Sequence, residues 1–434
     1  MGSAQRVGRA FFPLDDELAL LPGALTPSLQ EDLVRLGVWM PFGRAAQELA
    51  HFRHTVVSRP TAERLAEAAG AAYVAQQTAE GGRLEREAPG APSGPAKLFL
   101  SVDGAMVPVV GGEWAEVKTL VIGEVQPPVV EAGEVVVHTG QHSYFSRLAE
   151  AETFQRLALV ETHRRGVERA GAVGAVTDGS EWIQKFLDYH CYHALRILDF
   201  PHAGEHLNAI GQAQWGVGSR AAQDWLGEQL HELKHAGPAA VLAEVRHLVA
   251  LQTPPADVAT DLAYLEKREA HMQYPAFRAA GWPIGDGAVE SANKLVVEAR
   301  LKGSGMHWAR PHIDPMLALR NIVCSERWDE AWPQIVCTLR QQAQQRRAER
   351  RHQRRMAHSS ATVQPTASVQ NAAAPPPPTA PADTHVAPAP KPSAPVAQAQ
   401  AGQPWRPPAN HPWRHMPIGR ARFKPSTKCT DAKP

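Results

Sequence analysis

The sequence predicts a mixed α/β chain. A strand-rich centre carries a long all-helical insertion, a small helical region precedes it, and a tail unable to fold follows it. Three observations carry this. Residues 97–139 hold Val/Ile/Leu-rich runs separated by Gly-Gly and Pro-Pro, the pattern of strands and turns. Residues 203–280 are rich in Ala, Leu, Glu and His at helical spacing. After Arg340 the chain turns polar and basic, and residues 358–404 are Ala/Pro/Gln/Ser-rich, a composition that cannot bury enough apolar surface to fold. With 44% hydrophobic and 21% charged residues in 434, the remainder is long enough for two or three domains and a sizeable core.

The elements follow in order. Residues 1–90 read as helical, and Leu29, Leu33 and Leu36 space one short helix. Ala46, Leu49 and Ala50 space a second. Ser58 caps a third, with Pro60 at its first turn and Leu65, Ala69, Ala72 and Tyr73 on one face. Three such helices resemble a helix-turn-helix, whose last helix would offer Arg59, Thr61 and Arg64 to DNA. They read equally as a small bundle with solvated arginines. The Pro/Gly-rich EAPGAPSGPAK marks a boundary at about residue 90.

Strands are expected at 97–110, 114–125 and 134–139, as an antiparallel meander. A helix follows from Tyr144 to Ala170, then a buried strand Ala172–Thr177, a helix over Trp182–Phe186 and a fifth strand in HALRILDF. That order is the one found in ribonuclease-H-like folds, in which the first and fourth strands are neighbours. Residues 284–300 form a late helix with Val289, Ala292, Val296 and Ala299 as its apolar stripe and Glu290, Asn293 and Lys294 beside it. The stretch before it is far longer than a crossover needs, so a helical insertion at about 203–283 is implied.

Three carboxylates stand out in this frame. Asp103 and Asp178 end β-like runs and are followed by glycine, and Glu290 lies on the late helix. Converging carboxylates make a hard-oxygen site for Mg²⁺ or Mn²⁺. Each alone has a plain reading. Asp-Gly is a common hairpin turn, and Glu290 reads as a solvated helix face. Asp286 and Glu298 are fallback acids, and Asp286 suits a helix cap. HCYH (His190 to His193) fits no tetrahedral zinc spacing and reads as packing. KGSGMHW reads either as a phosphate-facing loop with Lys302 as a point charge or as a helix end with its glycine stop.

Bulk features exclude other classes. Net charge is +1, and the four cysteines make no C-x-x-C pair and are too few for a secreted disulfide scaffold. No run of about 18 apolar residues predicts a membrane span, and the N-terminus does not read as a signal peptide. The basic run Arg346, Arg347, Arg350, Arg351, Arg354 and Arg355, opposed only by Glu349, is expected to touch phosphates if it engages DNA.

VTDGSEWI, LDFPHAGEHL, GDGAVESANKLVVEARLKGSGMHW and RWDEAW resemble the DDE transposases of bacterial insertion sequences, in particular the ISKra type, distant relatives of the Mutator-like transposases. The resemblance runs from about Phe11 to Arg340 and returns at NHPWR. It implies that Asp103, Asp178 and Glu290 are the catalytic, metal-holding triad, with an all-helical insertion before the Glu. It also implies a D-x-x-H at Asp199 and His202 that supports the site or nearby DNA; the plain reading there is an Asp cap and a surface His. Lys294 and Lys302 join Arg59, Thr61 and Arg64 as expected DNA contacts.

The implied activity is Mg²⁺- or Mn²⁺-dependent cleavage of element ends and strand transfer into target DNA. The implied protein is a dimer or larger assembly, cytoplasmic and nucleoid-associated. Many relatives carry a cysteine-pair zinc module before the FFPLDDEL-like stretch, whereas GSAQRVGR has no cysteine, so the module is expected to be lost or to precede the chain. Two alternatives use the same residues: a ribonuclease-H-like nuclease without strand transfer, and an immobile DNA-binding derivative.

Overall fold

Five strands build one mixed sheet in the computed structural model, which describes residues 25–131, 133–251 and 256–361. They are β1 (Lys97–Pro108), β2 (Trp114–Val125), β5 (Thr139–Arg147), β6 (Ala172–Thr177) and β7 (Leu195–Leu198), in the order β5-β2-β1-β6-β7. β1, β2 and β5 are antiparallel, and β6 and β7 add in parallel to β1. A two-stranded hairpin, β3 (Val129–Glu131) with β4 (Glu134–Val136), stands apart from the sheet. The chain is therefore mixed α/β and mostly helical. Among the described residues no helix is long and apolar enough to cross a membrane.

The third sheet strand is displaced from the expected position. Residues 134–139 contribute only the short hairpin arm, and the sheet takes Thr139–Arg147 instead. That strand starts with polar residues on a sheet edge, which hides its period. The helix expected from Tyr144 accordingly begins later, as α4 (Ala151–Arg164).

Alternation along β1 sorts its side chains between two layers. Leu98, Leu100 and Val102 pack under α4 and α5 (Glu181–Cys191), with Phe154, Ile183 and Phe186 opposite. The other face carries Phe99, which joins the core of the helical insertion, and Asp103. That insertion comprises α6 (Phe200–Trp215), α7 (Arg220–His235), α8 (Pro238–Leu251) and α9 (Ala256–Lys267), and the short α10 (Tyr274–Ala279) follows.

The expected boundary at about residue 90 does not separate two bodies. The N-terminal helices α1 (Pro27–Trp39), α2 (Phe42–Arg53) and α3 (Arg59–Glu87) share one core with the far ends of β1 and β2, the late helix, α12 (Arg310–Cys324) and α13 (Trp328–Ala361). All described residues belong to one compact unit. Helix α3 approaches α12 so closely that a Cβ at Gly70 would lie 2.1 Å from the Pro315 carbonyl oxygen. Apolar residues on α3 thus serve the common core rather than a free-standing recognition unit.

The boundary expected at residue 340 also moves. α13 continues to Ala361, because the Gln, Arg, Ala and Glu residues after Arg340 are good helix formers even without an apolar face. The rest of the expected tail, and the first 24 residues of the expected helical region, lie outside the described residues.

His190 is a core residue. Its ring packs on Phe186 at 4.4 Å and lies 2.8 Å (Nε2) from the Gln155 carbonyl oxygen and 3.1 Å (Nδ1) from Thr162 Oγ1. Burial holds its pKa down to about 4. An unfolded His takes its proton near 6.5, so between these values the unfolded state binds more protons. The associated stability is complete above about pH 6.5 and is lost as the pH falls towards 4. At ~1.4 kcal/mol per unit this amounts to about 3 kcal/mol. In His190→Gln the urea midpoint should vary less with pH across this window; an unchanged pH slope would show that another group is responsible.

Candidate active site

The three sequence-predicted acids arrive from separate elements. Asp103 lies inside β1 rather than at its end, opposite Thr119 of β2. The correction has a topological cause: β1 outruns its parallel neighbour, whose last pair with it is Leu100↔Ala175. Asp103 and Asp178 each stand three residues past that pair, Asp103 still in β1 and Asp178 beyond the end of β6, near enough for their charges to interact. Asp178 follows the end of β6 in a tight turn, where its Oδ1 accepts the Ser180 N–H at 2.8 Å. Gly179 has φ +75°, a left-handed conformation that favours glycine, and a Cβ there would meet Arg268 Nε at 2.5 Å.

Glu290 sits on α11 (Gly287–Ala292), which runs into a π-helical stretch, Asn293–Glu298, and a last turn, Ala299–Leu301. Val289 and Ala292 press this helix onto Val121 of β2. Val121 lies two residues from Thr119, on the same face of β2 as Asp103's partner position. Arg320 donates to the Leu295 and Val296 carbonyls of the π stretch, so buried Arg320 supports its irregular hydrogen bonding. π stretches of this kind are frequent at functional sites.

Asn293, rather than Glu290, makes the direct bond to the first acid: its Nδ2 donates to Asp103 Oδ2 at 2.8 Å. The Asn293 Oδ1 is buried without a partner among the described residues. Glu290 is 60% exposed and stands 3.7 Å from Lys294.

Electrostatics mark this as an acidic centre. Burial raises the Asp103 carboxyl above its ordinary pKa, the Gly104 N–H opposes that, and the nearby Asp178, Glu116 and Glu290 charges raise it further. Asp286 is pushed up to about 8, first by burial and then by Asp199, Asp103 and Glu290. Like charges gathered in a desolvated place raise one another's pKa and favour a cation. The donors suit a hard divalent ion. Among the described residues, however, no three His, Cys, Asp or Glu side chains are grouped closely enough to hold one. A shared ion would require Glu290 to leave Lys294 and turn towards the aspartates.

Asp199 takes the capping role. Its Oδ2 accepts the His202 N–H at 2.8 Å, capping α6, and its Oδ1 accepts the Asp286 N–H at 2.9 Å. One carboxylate thus ties the end of β7 to the start of the Glu290 helix. Burial raises the Asp199 pKa, and those two N–H groups oppose the rise. The His202 ring lies 5.8 Å from Tyr264 and 3.4 Å from Glu205, away from the acids' direct contacts.

The insertion supplies residues that sequence reasoning missed. Tyr264 donates its hydroxyl to the Asp178 carbonyl. Arg268 donates from Nε at 3.0 Å and Nη2 at 2.7 Å to the Gly179 carbonyl, and its guanidinium lies 3.5 Å from the Tyr264 ring centre. His206 stacks on the same ring at 4.0 Å and contacts Asp261 at 2.8 Å. Nothing local in YLEKR announces this grip, which spans 86 and 89 positions.

The expected DNA contacts scatter. Thr61 is spent on the Ser58 cap, its N–H donating at 3.3 Å and its hydroxyl lying 3.0 Å from Ser58 Oγ. Arg59 and Arg64 are exposed at the start of α3, with Arg59 4.0 Å from Glu63. Lys294 is exposed beside Glu290, whereas Lys302 pairs with Glu298 at 2.6 Å. The helix carrying Lys302 ends there, so the helix-stop reading of KGSGMHW describes its first residues.

No protein-family model matches the chain, and no curated protein matches it.

Proposed function

We propose that the chain is a DDE-type transposase of the ISKra kind, cutting DNA strands and joining their 3′ ends to target DNA, with a ribonuclease-H-like core. The observation that carries this reading is that Asp103 on β1, Asp178 just past β6 and Glu290 on the late helix come near enough for their charges to interact, with Asn293 of the late helix bonded to Asp103. Burial raises the Asp103 pKa first, and the Asp178, Glu116 and Glu290 charges add to it. The strand order, with three antiparallel strands followed by two parallel ones, supports the core assignment. The motifs quoted above support the family.

Asp103, Asp178 and Glu290 are the residues that would hold Mg²⁺ or Mn²⁺. Bound there, the ions would supply Lewis-acid stabilisation of the crowded phosphodiester charge. Asn293 fixes the Asp103 carboxylate, and Tyr264 and Arg268 fix the turn that presents Asp178. Asp199 holds the start of the Glu290 helix. Lys294 can release Glu290 and remain near DNA. A dimer or larger assembly follows from the need to hold two DNA ends together.

The direct test offers the purified chain, with Mg²⁺ or Mn²⁺, DNA flanking its own gene, both intact and with pre-cut 3′-OH ends. Nicked ends and joined products are expected. Cleavage without joining would indicate a nuclease, and binding without either product an immobile derivative.

Arg268 provides a narrower test of positioning. Arg268→Ala should raise the Mn²⁺ concentration for half-maximal cleavage about tenfold or more, the usual scale for residues supporting a metal site. Excess Mn²⁺ should recover much of the rate. A loss that no Mn²⁺ concentration relieves would make Arg268 a residue of the fold alone.

A further inference from the structure

Buried donors without acceptors point to a second site. A cleft of about 550 Å³ lies between the starts of α2 and α3 and the loop before α12. Arg300 and Trp308 line it. Arg300 is only 2% exposed, and its guanidinium packs against both the Phe42 and the Trp308 rings, at 4.8 and 5.0 Å. Its Nε donates to the Gly37 carbonyl at 3.0 Å, but its Nη2 has no partner among the described residues. Trp308 is 8% exposed, and its Nε1–H has none either.

Pro41 precedes α2 and supplies no side-chain cap, and Pro41, Phe42 and Gly43 at this end of the 12-residue helix line the same cleft. Unmet buried donors are rare and costly, and an absent acceptor is the ordinary explanation. The carboxylates at this cleft are already engaged: Glu67 pairs with His312 at 2.6 Å, and Glu63 lies 4.0 Å from Arg59. A guanidinium, an indole N–H and a helix N-terminus together call for an anionic oxygen.

We propose that this cleft binds one backbone phosphate of a DNA strand whose scissile phosphate lies at Asp103; this rests on the function proposed above. The same two elements lead from the acids to the cleft. Trp308 N–H donates to the Pro108 carbonyl at the end of β1, five residues beyond Asp103, or about 17 Å along the strand. Arg300 follows Glu290 by ten residues along the same late helix, through its π stretch. The bound phosphate therefore lies a few nucleotides from the cut. Arg59, expected from the sequence to meet DNA, stands at the rim.

The test uses the full chain and the dinucleotide TpT, which has a single phosphodiester, with its uncharged methylphosphonate analogue and inorganic phosphate as controls. Binding is read by the thermal midpoint and tryptophan fluorescence. TpT should bind, and the methylphosphonate should not. Trp308→Phe keeps the ring and removes the donor; Arg300→Lys keeps the charge and removes the fork. Each should weaken TpT about tenfold or more. Equal binding of TpT and its methylphosphonate, or unchanged TpT binding in Trp308→Phe, overturns the proposal. Binding of inorganic phosphate without TpT also overturns it, since the source is then not a strand. Phosphate-dependent TpT binding by a chain that cuts no DNA would uphold the cleft and sink the catalytic reading. In a cutting chain, methylphosphonate scanning should find one sensitive position a few nucleotides from the cut.

Discussion

Asp103→Asn should remove DNA cleavage and strand transfer while leaving the fold at least as stable as the parent. The Asp103 carboxylate is desolvated and faces Asp178, Glu116 and Glu290, so its charge works against folding. The amide keeps the shape, and its oxygen can still accept from Asn293. What disappears is the negative charge that a divalent ion needs. Activity should fall by about 10²–10³-fold or more, the scale of losing a principal electrostatic group in a catalytic site. Stabilisation on losing activity is the usual signature of a strained functional centre.

Asp178→Asn and Glu290→Gln should lose activity equally. Glu290 is exposed, so its replacement should shift stability by no more than about 0.5 kcal/mol. The measurements are cleavage of a labelled DNA end and the thermal midpoint of each variant. A variant with near-parental cleavage removes that acid from the site. An inactive Asp103→Asn with a clearly lowered midpoint would make the residue structural.

Glu161→Ala should cost about 3–5 kcal/mol, the scale for stripping one partner from a buried ion pair. Glu161 is 1% exposed and receives Arg327 Nη1 and Nη2 at 3.0 and 2.9 Å, a bidentate bond from the RWDEAW motif to α4. Arg327 Nε has no partner among the described residues, so the pair is the main compensation for that buried cation. Replacing both residues, as Glu161→Met with Arg327→Leu, should recover most of the loss, because no lone charge is left behind. Urea unfolding of the two single variants and the double variant measures the coupling. A single-variant loss below about 1 kcal/mol would show that water reaches the pair and screens it.

Local chemistry made much of this molecule legible in its sequence. The apolar runs of β1, β2, β6 and β7, the glycine after Asp178, the caps at Ser58 and Asp199 and Val289, Ala292 and Val296 of the late helix are short-range patterns, and the folded chain carries them. Ala299, expected on the same stripe, is exposed, and the π stretch buries Asn293 and Val297 instead. What failed was either weakly patterned or non-local. The edge strand Thr139–Arg147 has little apolar alternation to show, and residues 341–361 are helical by propensity without an apolar face.

Only the tertiary structure decided that the N-terminal helices share a core with the late helix and α12, because such packing joins surfaces far apart in the chain. Register placed Asp103 within β1, three residues past its last pair with β6. Docking of the late helix chose Asn293 over Glu290 as its neighbour, and the insertion brought Tyr264 and Arg268 onto the Asp178 turn. The sequence by itself determined which residues could carry the chemistry, since residue type and local period are properties of the chain. Which of them meet, how dry they are and what holds them are properties of packing, set by contacts whose partners lie 86 to 190 residues apart.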